Sequence, residues 1–169
     1  MKVRQMERKQ ILTGAHAEMK IRRLAYEILE HNPGERELLL AGIKGCGLVV
    51  ARQLQSVLSG ISNVAVKLIS VDLNKEHPGL VTLSESVALD GRVVILVDDV
   101  TNSGRTLLYA MRPFLECHPR KIQTLVLVER SHKAYPIHPD FTGLRLATTM
   151  QDHVRVEVEG DIITGAYIQ

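Results

Sequence analysis

The sequence predicts an α/β fold in which a mostly parallel sheet is flanked by helices. Runs of apolar and largely β-branched residues at 38–43, 93–97 and 122–129 have the length and composition of strands buried on both faces. Between the first two runs, apolar residues at 50–58 recur with the spacing of one helix face. Strands that alternate with helices pair in parallel, because each crossover returns the chain to the same edge of the sheet.

The composition predicts one domain over residues 1–169, because 45% of the residues are hydrophobic and no linker or repeat interrupts the chain. No stretch reaches the ~20 apolar residues of a membrane span. The N-terminus, MKVRQMERKQ, has no apolar core of a secretory signal. The two cysteines, Cys46 and Cys117, have no metal or disulfide spacing. We therefore expect a cytoplasmic protein without membrane contact.

The first half of the chain is expected to contain two helices and two strands. Apolar residues at 21–29 follow a helical period, and Asn32-Pro33-Gly34 ends that helix. The strand at 38–43 follows, and then the helix at 50–58, which Ser59-Gly60 ends. A second strand is predicted at 64–69.

The second half is predicted to begin with a hairpin or mobile flap at 70–91, where no period is convincing and His77-Pro78-Gly79 interrupts the chain. The strand at 93–97 leads into a helix at 105–115, which Pro113 should kink. After the strand at 122–129 we expect a polar loop to about Gly143. Short alternating strands are predicted near 144–148, 154–158 and 162–167.

The run VVILVDDVTNSGRT, at 93–106, is the most informative segment for function. Its strand ends in Asp98 and Asp99, and ligands of open α/β sheets bind beyond the carboxyl ends of strands. Ionised carboxylates only accept hydrogen bonds, so this pair suits sugar hydroxyls, and it can stabilise positive charge developing on a ribose ring.

The turn that follows these acids has the composition of a phosphate cradle. Its residues are Thr101, Asn102, Ser103 and Gly104, and Arg105 and Thr106 open the next helix. Backbone N–H groups of a Gly-containing turn and of a helix N-terminus bind phosphate oxygens, and the hydroxyls donate to the same oxygens. A phosphate site beside a diol site is what a ribose 5-phosphate requires. Two other interpretations stay open: an ordinary strand–turn–helix with N-capping residues, and an acid pair that binds Mg²⁺ in another kind of α/β protein.

A second Gly-rich turn, GIKGCG at 42–47, follows the strand at 38–43. By itself it fits simple strand–helix packing. Together with the 93–106 run it suggests a pyrophosphate site, formed by Lys44, Gly45, Cys46 and Gly47, with Lys44 as a cation. Cys46 is not expected to be a nucleophile, because no histidine or other base stands at a recognisable partner spacing.

The 93–106 run resembles the phosphoribosyl-pyrophosphate (PRPP) signature of type I phosphoribosyltransferases, which is an apolar run, two acids, small or hydroxyl residues, Gly, any residue and then Ser or Thr. Within that family the chain is similar to the pyrimidine operon regulators (PyrR). Three segments carry the similarity: Gly42-Ile43-Lys44, Asp98-Asp99…Gly104-Arg105-Thr106, and Arg130-Ser131-His132…Tyr135-Pro136-Ile137…Asp140-Phe141-Thr142-Gly143.

The resemblance implies a type I phosphoribosyltransferase core with a small hood or flap, and transfer of ribose 5-phosphate from PRPP to uracil, giving UMP and pyrophosphate. Asp98 and Asp99 would hold the ribose, residues 101–106 the 5-phosphate, and residues 44–47 the pyrophosphate. Mg²⁺ would bind with PRPP or pyrophosphate, with no direct side-chain ligand. Arg130 and Ile137 would contact the base, and the chain would form a homodimer or a larger assembly.

The chain departs from the PyrR pattern in two places. Gly45-Cys46 stands where Thr-Arg is usual, which removes a guanidinium that can bind phosphate in two places. The flap has Ser70-Val71-Asp72-Leu73-Asn74 in place of Tyr-Arg-Asp-Asp. Slow turnover, or use of another base such as a purine, therefore stays open.

The charge of the chain, +2 overall, is uneven. Residues 1–23 contain seven Lys or Arg against two Glu. Such a basic end either attracts nucleic acid or is simply a solvated face. Because PyrR proteins also bind the leader mRNA of pyrimidine genes, a nucleotide-sensing RNA-binding regulator is the competing hypothesis. Arg22 and Arg23 are its candidate RNA contacts.

Overall fold

The computed structural model describes residues 8–169, which form two sheets and four helices. The strands are β1 (Lys9–Thr13), β2 (Glu37–Ile43), β3 (Ala65–Leu73), β4 (Val81–Leu83), β5 (Val93–Thr101), β6 (Lys121–Arg130), β7 (Phe141–Leu146), β8 (Val154–Glu159) and β9 (Ile162–Ile168). The helices are α1 (Gly14–His31), α2 (Cys46–Ile61), α3 (Arg105–Ala110) and α4 (Arg112–Leu115).

The central sheet has six strands in the order β4-β3-β2-β5-β6-β7. Its neighbours are parallel except β3 and β4, which pair antiparallel as a hairpin. The predicted α/β class is confirmed. Of the two expectations for 70–91, a hairpin or a mobile flap, the structure shows a hairpin, whose first strand already begins at Ala65. Residues 74–80 connect the two strands of the hairpin.

The alternation of side chains along β5 shows why this strand is apolar throughout. Val93, Ile95 and Val97 face a core formed with α1 and α2, and Val94 and Leu96 face a second core formed with α3, α4 and the hairpin. All five residues are buried. Helices on both sides of the sheet therefore remove both faces of the strand from water, as the sequence predicted.

A second, antiparallel sheet has the order β1-β9-β8 and packs against α1 and α2. Leu12, Val156, Ile163 and Ala166 from this sheet belong to the same core as α1 and α2. The strands at 154–158 and 162–167 were predicted, whereas β1 was not. The α1 helix begins well before the predicted 21–29, because the Thr13 hydroxyl caps it by accepting the N–H of His16 at 3.2 Å.

Three predicted strand boundaries are wrong. The strand predicted at 64–69 continues to Leu73, into the segment predicted as a hairpin or flap. β5 continues past Val97 to Thr101, because Val100 and Thr101 still pair with β6. β7 is Phe141–Leu146 rather than 144–148, so the predicted loop to Gly143 is too long. At Gly143 a Cβ would lie 2.5 Å from the carbonyl oxygen of Leu127, so only glycine lets this strand approach β6 so closely.

The helix predicted at 105–115 is interrupted, as the proline suggested. α3 ends at Ala110 and α4 begins at Arg112, with Pro113 in the first turn of α4, where its missing N–H costs nothing. Phe114 from α4 is fully buried in the second core. No helix among residues 8–169 is long and apolar enough to cross a membrane.

Candidate functional site

The turn after β2 and the end of β5 meet at the carboxyl edge of the central sheet. The two strands are parallel neighbours, and Gly42 pairs with Val97. The residues that follow each strand therefore project beyond the same edge. The sequence segments 44–47 and 98–106, more than fifty positions apart, come together in this way.

The closest approach between these segments is at Gly47, in the first turn of α2. A Cβ on Gly47 would lie 2.8 Å from Asp98 Oδ1, 3.0 Å from Asp98 Cα and 3.1 Å from the Val97 carbonyl oxygen. Real Cβ atoms do not approach other atoms this closely, so the contact requires glycine. The second glycine-rich turn is thus packed directly on the acidic end of β5.

Asp98 and Asp99 lie near the carboxyl end of β5 and share one cation. Lys75 Nζ, from the connection between β3 and β4, is 3.1 Å from Asp98 Oδ1 and 3.6 Å from Asp99 Oδ1. Asp98 Oδ1 also accepts the backbone N–H of Asp99 at 2.9 Å. The Asp98 side chain is 1% exposed and that of Asp99 is 15% exposed.

Burial and neighbouring charge set the ionisation of this cluster. Burial raises the pKa of Asp98 well above its ordinary value, and the charge of Asp99 raises it further, whereas Lys75 opposes the shift. Burial alone would lower the pKa of Lys75, but the charges of Asp98 and Asp99 outweigh it, so the pKa of Lys75 is raised. The ammonium is therefore held in its charged form by the two carboxylates.

Two of the predicted pyrophosphate residues show different environments. Lys44 is exposed, and its Nζ lies 2.7 Å from Asp72 Oδ2. Cys46 donates its thiol hydrogen to the Val156 carbonyl oxygen at 3.5 Å, and burial followed by the charge of Asp99 raises its pKa. A thiol held protonated is a poor nucleophile, which agrees with the sequence expectation for Cys46.

The turn after β5 is held in shape by the segment that follows β6. Gly104 has φ +85°, and a Cβ there would lie 2.6 Å from Ile137 Cγ2. The Ser103 carbonyl oxygen accepts the N–H groups of Ala134 at 3.0 Å and Tyr135 at 3.1 Å. Ile137, a predicted base contact, therefore packs on the predicted phosphate turn.

The remaining residues of this turn differ in exposure. Thr101 is buried, Asn102 is exposed, and Thr106 is partly buried. Within residues 8–169, Arg105 Nε is a fully buried side-chain nitrogen that has no hydrogen-bond partner. A buried donor without an acceptor costs about 1–3 kcal/mol, so an oxygen acceptor from a ligand would relieve that cost.

A charged cluster stands at the ends of β6 and β7. The side chain of Glu129, 10% exposed, accepts from Arg145 Nε at 2.9 Å and from Thr142 Oγ1 at 3.1 Å, and it lies 3.6 Å from Lys133 Nζ. Lys133 Nζ also donates to the Asn102 carbonyl oxygen at 3.2 Å. Burial lowers the pKa of Lys133, and Glu129 opposes that shift. A cavity of about 440 Å³ adjoins the cluster, lined by Glu129, Ser131, Lys133, His138, Arg145, Leu146 and Ala147.

Arg130, the other predicted base contact, is buried at the end of β6. Its Nε donates to Thr148 Oγ1 at 2.8 Å and its Nη2 donates to the Thr149 carbonyl oxygen at 2.9 Å. The guanidinium thus fixes the loop between β7 and β8. It is 3% exposed, so a ligand would have to displace these contacts to reach it.

The predicted RNA contacts lie on α1, and they are not equivalent. Arg22 is exposed. Arg23 forms an ion pair with Glu27 and donates to the carbonyl oxygens of Thr142 at 3.1 Å and Gly143 at 2.9 Å. Arg23 therefore ties α1 to β7. Lys2 and Arg4 of the basic N-terminus lie outside the described residues.

Three charged residues of the site were not singled out from the sequence. Lys75 lies in the stretch without a period, so no pattern indicated which way its side chain points. Glu129 is the last residue of the strand predicted at 122–129, and Asp98 directly follows the strand predicted at 93–97. This shared position at a strand end could have indicated Glu129 as a site residue. No sequence pattern indicated Lys133, because its contact with the predicted phosphate turn depends on the pairing of β5 with β6.

The chain resembles known proteins over most of its length. Residues 7–159 match the family model described as phosphoribosyl transferase domain. A protein of Enterococcus faecalis named bifunctional protein pyrR is 32% identical over 163 residues, which are 91% of this chain and 92% of the relative. A protein of Brevibacillus brevis named bifunctional protein PyrR is 37% identical over 146 residues, covering 80% and 82% of the two chains. The hypoxanthine phosphoribosyltransferase of Trypanosoma cruzi superposes with a TM-score of 0.71 at 19% identity, covering 82% and 81%.

Replacing Gly47 with alanine should destabilise the protein, because the added Cβ would meet the backbone and carboxylate of Asp98. We expect Gly47→Ala to lower the free energy of unfolding, measured in urea, by about 1–3 kcal/mol. Gly60→Ala, near the end of the same helix with open space around its Cβ, is the matched control and should be neutral or stabilising. Equal effects of the two substitutions would contradict the contact.

Asp98→Asn should change how stability depends on pH. Because the pKa of Asp98 is raised in the folded protein, the folded state binds this proton more tightly than the unfolded state does. As pH rises from about 4 through the raised pKa, the wild type loses this stabilisation and the variant does not. The Tm difference, variant minus wild type, should therefore increase from pH 4 towards neutrality.

Asp161→Asn is the control for this pH series, because it removes an exposed carboxylate that pairs with Arg52 on the surface. Its Tm difference should stay nearly constant over the same range. A difference for Asp98→Asn that shrinks with rising pH would mean that the folded protein favours the ionised carboxylate.

Proposed function

Because this chain belongs to the phosphoribosyl transferase family, we propose that it transfers ribose 5-phosphate from PRPP to uracil, forming UMP and pyrophosphate. The observation that carries the proposal is the convergence of three segments at one sheet edge. The acid pair lies near the end of β5, and the glycine turn at the start of α2 packs on Asp98. The turn with Gly104 comes six residues after Asp98. A sugar diol, a pyrophosphate and a 5-phosphate need these three kinds of site close together.

In this proposal Asp98 and Asp99 accept hydrogen bonds from the ribose hydroxyls. Residues 101–106 bind the 5-phosphate through backbone N–H groups and the hydroxyls of Thr101, Ser103 and Thr106. The positive φ of Gly104 supports this assignment, since it turns the chain sharply ahead of α3. The unpartnered Arg105 Nε supports it as well, because a phosphate oxygen is a suitable acceptor.

The turn at 44–47 receives the pyrophosphate. Gly45 has φ +99° and no Cβ, so its backbone can approach an anion closely, and α2 follows directly. Lys44 contributes positive charge at the exposed end of the turn, where Asp72 now pairs with it. Cys46 and Gly47 complete the turn through their backbone.

Mg²⁺ is part of the proposal, because the described residues fit it. Carboxylate oxygens are the donors that Mg²⁺ prefers, and the acid pair already accommodates a cationic group, the Lys75 ammonium. When bound with PRPP, Mg²⁺ would neutralise charge on the pyrophosphate oxygens. Asp98 and Asp99 would be the nearest protein oxygens.

The chain's own contribution to the reaction is positioning and electrostatic stabilisation. The bond from the ribose carbon to pyrophosphate breaks, pyrophosphate leaves with the bonding electrons, and positive charge develops on the ribose ring. The base nitrogen then forms its bond to that carbon and loses its proton to the departing pyrophosphate or to water. Asp98 and Asp99, fixed by the sheet in a site with little water, stabilise that charge. No protein nucleophile takes part. While no ligand is bound, residues 74–80 of the hairpin connection cover the acid pair through Lys75.

The choice of uracil rests on the relatives named bifunctional protein PyrR, each more than 30% identical. Ile137 packs on the turn at 101–106, and the cavity beside Glu129 is linked to that turn through Lys133, so this region offers space for a base. Arg130 contributes by fixing the 148–149 loop. A purine base is the alternative within the same reaction. The likeness to the hypoxanthine phosphoribosyltransferase, at 19% identity, concerns the fold alone and does not decide between the two bases.

RNA binding is a second proposed function, because the relatives are named bifunctional and α1 carries exposed basic residues. Leader mRNA of pyrimidine genes is the proposed partner, and Arg22 is the proposed contact. Arg23 supports this face indirectly by fixing α1 to β7. We place the protein in the cytoplasm as a homodimer or a larger assembly, in which basic faces of two copies can combine.

Pyrophosphate release from PRPP and Mg²⁺, measured with uracil, with each purine base or with no base, tests the enzymatic proposal. Release should depend on uracil, and Asp98→Asn with Asp99→Asn should lower the rate by about 10²–10³-fold. Asp161→Asn should retain the wild-type rate, since it lies on the surface. Release with a purine alone would change the substrate, and no release with any base would overturn the transferase proposal.

RNA binding is tested by titrating a uracil-rich hairpin at increasing salt. Phosphate contacts release counterions, so affinity should fall steeply between about 50 and 200 mM salt. Arg22→Ala should weaken binding and flatten the slope, whereas Arg52→Ala, on α2, should not. Salt-insensitive affinity, or none at low salt, would eliminate this function.

A further inference from the structure

The connection between β3 and β4 is a built turn that presents Lys75 to the acid pair. Asn74 Oδ1 accepts the backbone N–H groups of Glu76 at 2.9 Å and His77 at 3.0 Å. The Gly79 N–H bonds back to the His77 carbonyl oxygen at 2.8 Å. Residue 75 therefore stands at the start of a tight turn stabilised by an asparagine side chain.

The same connection is anchored at its other end. Arg112 Nη1, from α4, donates to the Gly79 carbonyl oxygen at 2.8 Å. Pro78 is buried although its neighbours are exposed. The turn is thus fixed by α4 on one side and by Lys75 on the other.

Lys75 is the basic group that pairs with Asp98 and Asp99 among the described residues. Two adjacent carboxylates, one of them fully buried, repel each other and lose hydration, so a nearby cation stabilises them strongly. The Lys75 side chain is still 44% exposed, so its ammonium can leave for water without unfolding the sheet. The contact is favourable and reversible.

The Lys75 ammonium and a ribose diol are donors to the same oxygens. Asp98 Oδ1 already accepts from Lys75 and from the Asp99 N–H, which uses its two lone pairs. A ribose hydroxyl can reach that oxygen only if Lys75 withdraws. At Asp98 Oδ1, occupation by the lysine and occupation by a ribose hydroxyl therefore exclude each other.

We propose that Lys75 is an internal counterion that occupies the ribose position at Asp98 and Asp99, and that binding of a nucleotide there displaces it and loosens residues 74–80. The inference rests on the proposed placement of ribose at this pair. It makes the hairpin connection a self-inhibitory contact: the empty site is closed by the protein's own cation, and ligand binding opens it.

Hydrogen–deuterium exchange of the full chain tests the contact without any ligand. Lys75→Met should speed exchange of the amides at 76, 77 and 79 by about two- to fivefold, the effect of losing a partly exposed ion pair. Lys75→Arg should restore protection. Lys67→Met is the matched control. Lys67 lies on β3, and its Nζ is 2.8 Å from Glu85 Oε2, so this variant also loses an ion pair, but one that does not involve Asp98 or Asp99. Unchanged exchange in Lys75→Met would overturn the proposal.

The same measurement with saturating UMP tests displacement. UMP should speed exchange at 74–80 in the wild type to the level of ligand-free Lys75→Met, and should add nothing in that variant. Slower exchange with UMP would mean that the turn closes on the ligand, which overturns displacement.

Calorimetry with UMP separates this inference from the proposed function. If UMP binds neither protein, the proposed ribose site fails and displacement fails with it, whereas the ligand-free arm still decides the counterion contact. Binding by Lys75→Met alone would support self-inhibition directly.

Discussion

The parallel pairing of β2 with β5 is the constraint on which the site depends. Because the strands are in register through Gly42 and Val97, the turn after one strand and the acids at the end of the other extend beyond the sheet at the same level. Gly47 can then rest against Asp98, with no side chain between them. A shift of register would separate the two glycine-containing turns, since each is only a few residues long.

Hydrogen bonds connect the predicted phosphate turn at 101–106 with the segment beside the Glu129 cavity. The chain after β6 bonds to the Ser103 carbonyl oxygen through two backbone N–H groups, and Lys133 bonds to the Asn102 carbonyl oxygen. Ile137 fills the space that the glycine at 104 leaves open. A rearrangement of the segment after β6 would therefore be transmitted to the turn at 101–106 through these hydrogen bonds.

The sequence predicted what depends on local pattern and missed what depends on distant pairing. Buried strands such as 38–43 and 122–129 were recognisable because residues with both faces covered are apolar without alternation. The acid pair and the two glycine turns were recognisable because few residue types suit those positions. The β1 strand and the inward direction of Lys75 were not, because β1 pairs with residues more than 150 positions away and Lys75 follows no period. Arg130 was identified as important, but its buried contacts with Thr148 and Thr149 follow from tertiary structure.

The pairing of β1 with β9 has a consequence for how the protein is made. Lys9 pairs with Ile168, so the first described strand waits for the last to be synthesised. The central sheet, from β2 to β7, can pair without β8 and β9, because its strands are contiguous in sequence. Until β9 is available, Leu12 and its neighbours in β1 have no strand partner, and the surfaces of α1 and α2 that pack against β9 stay uncovered. We therefore expect the second sheet to form last as the core closes.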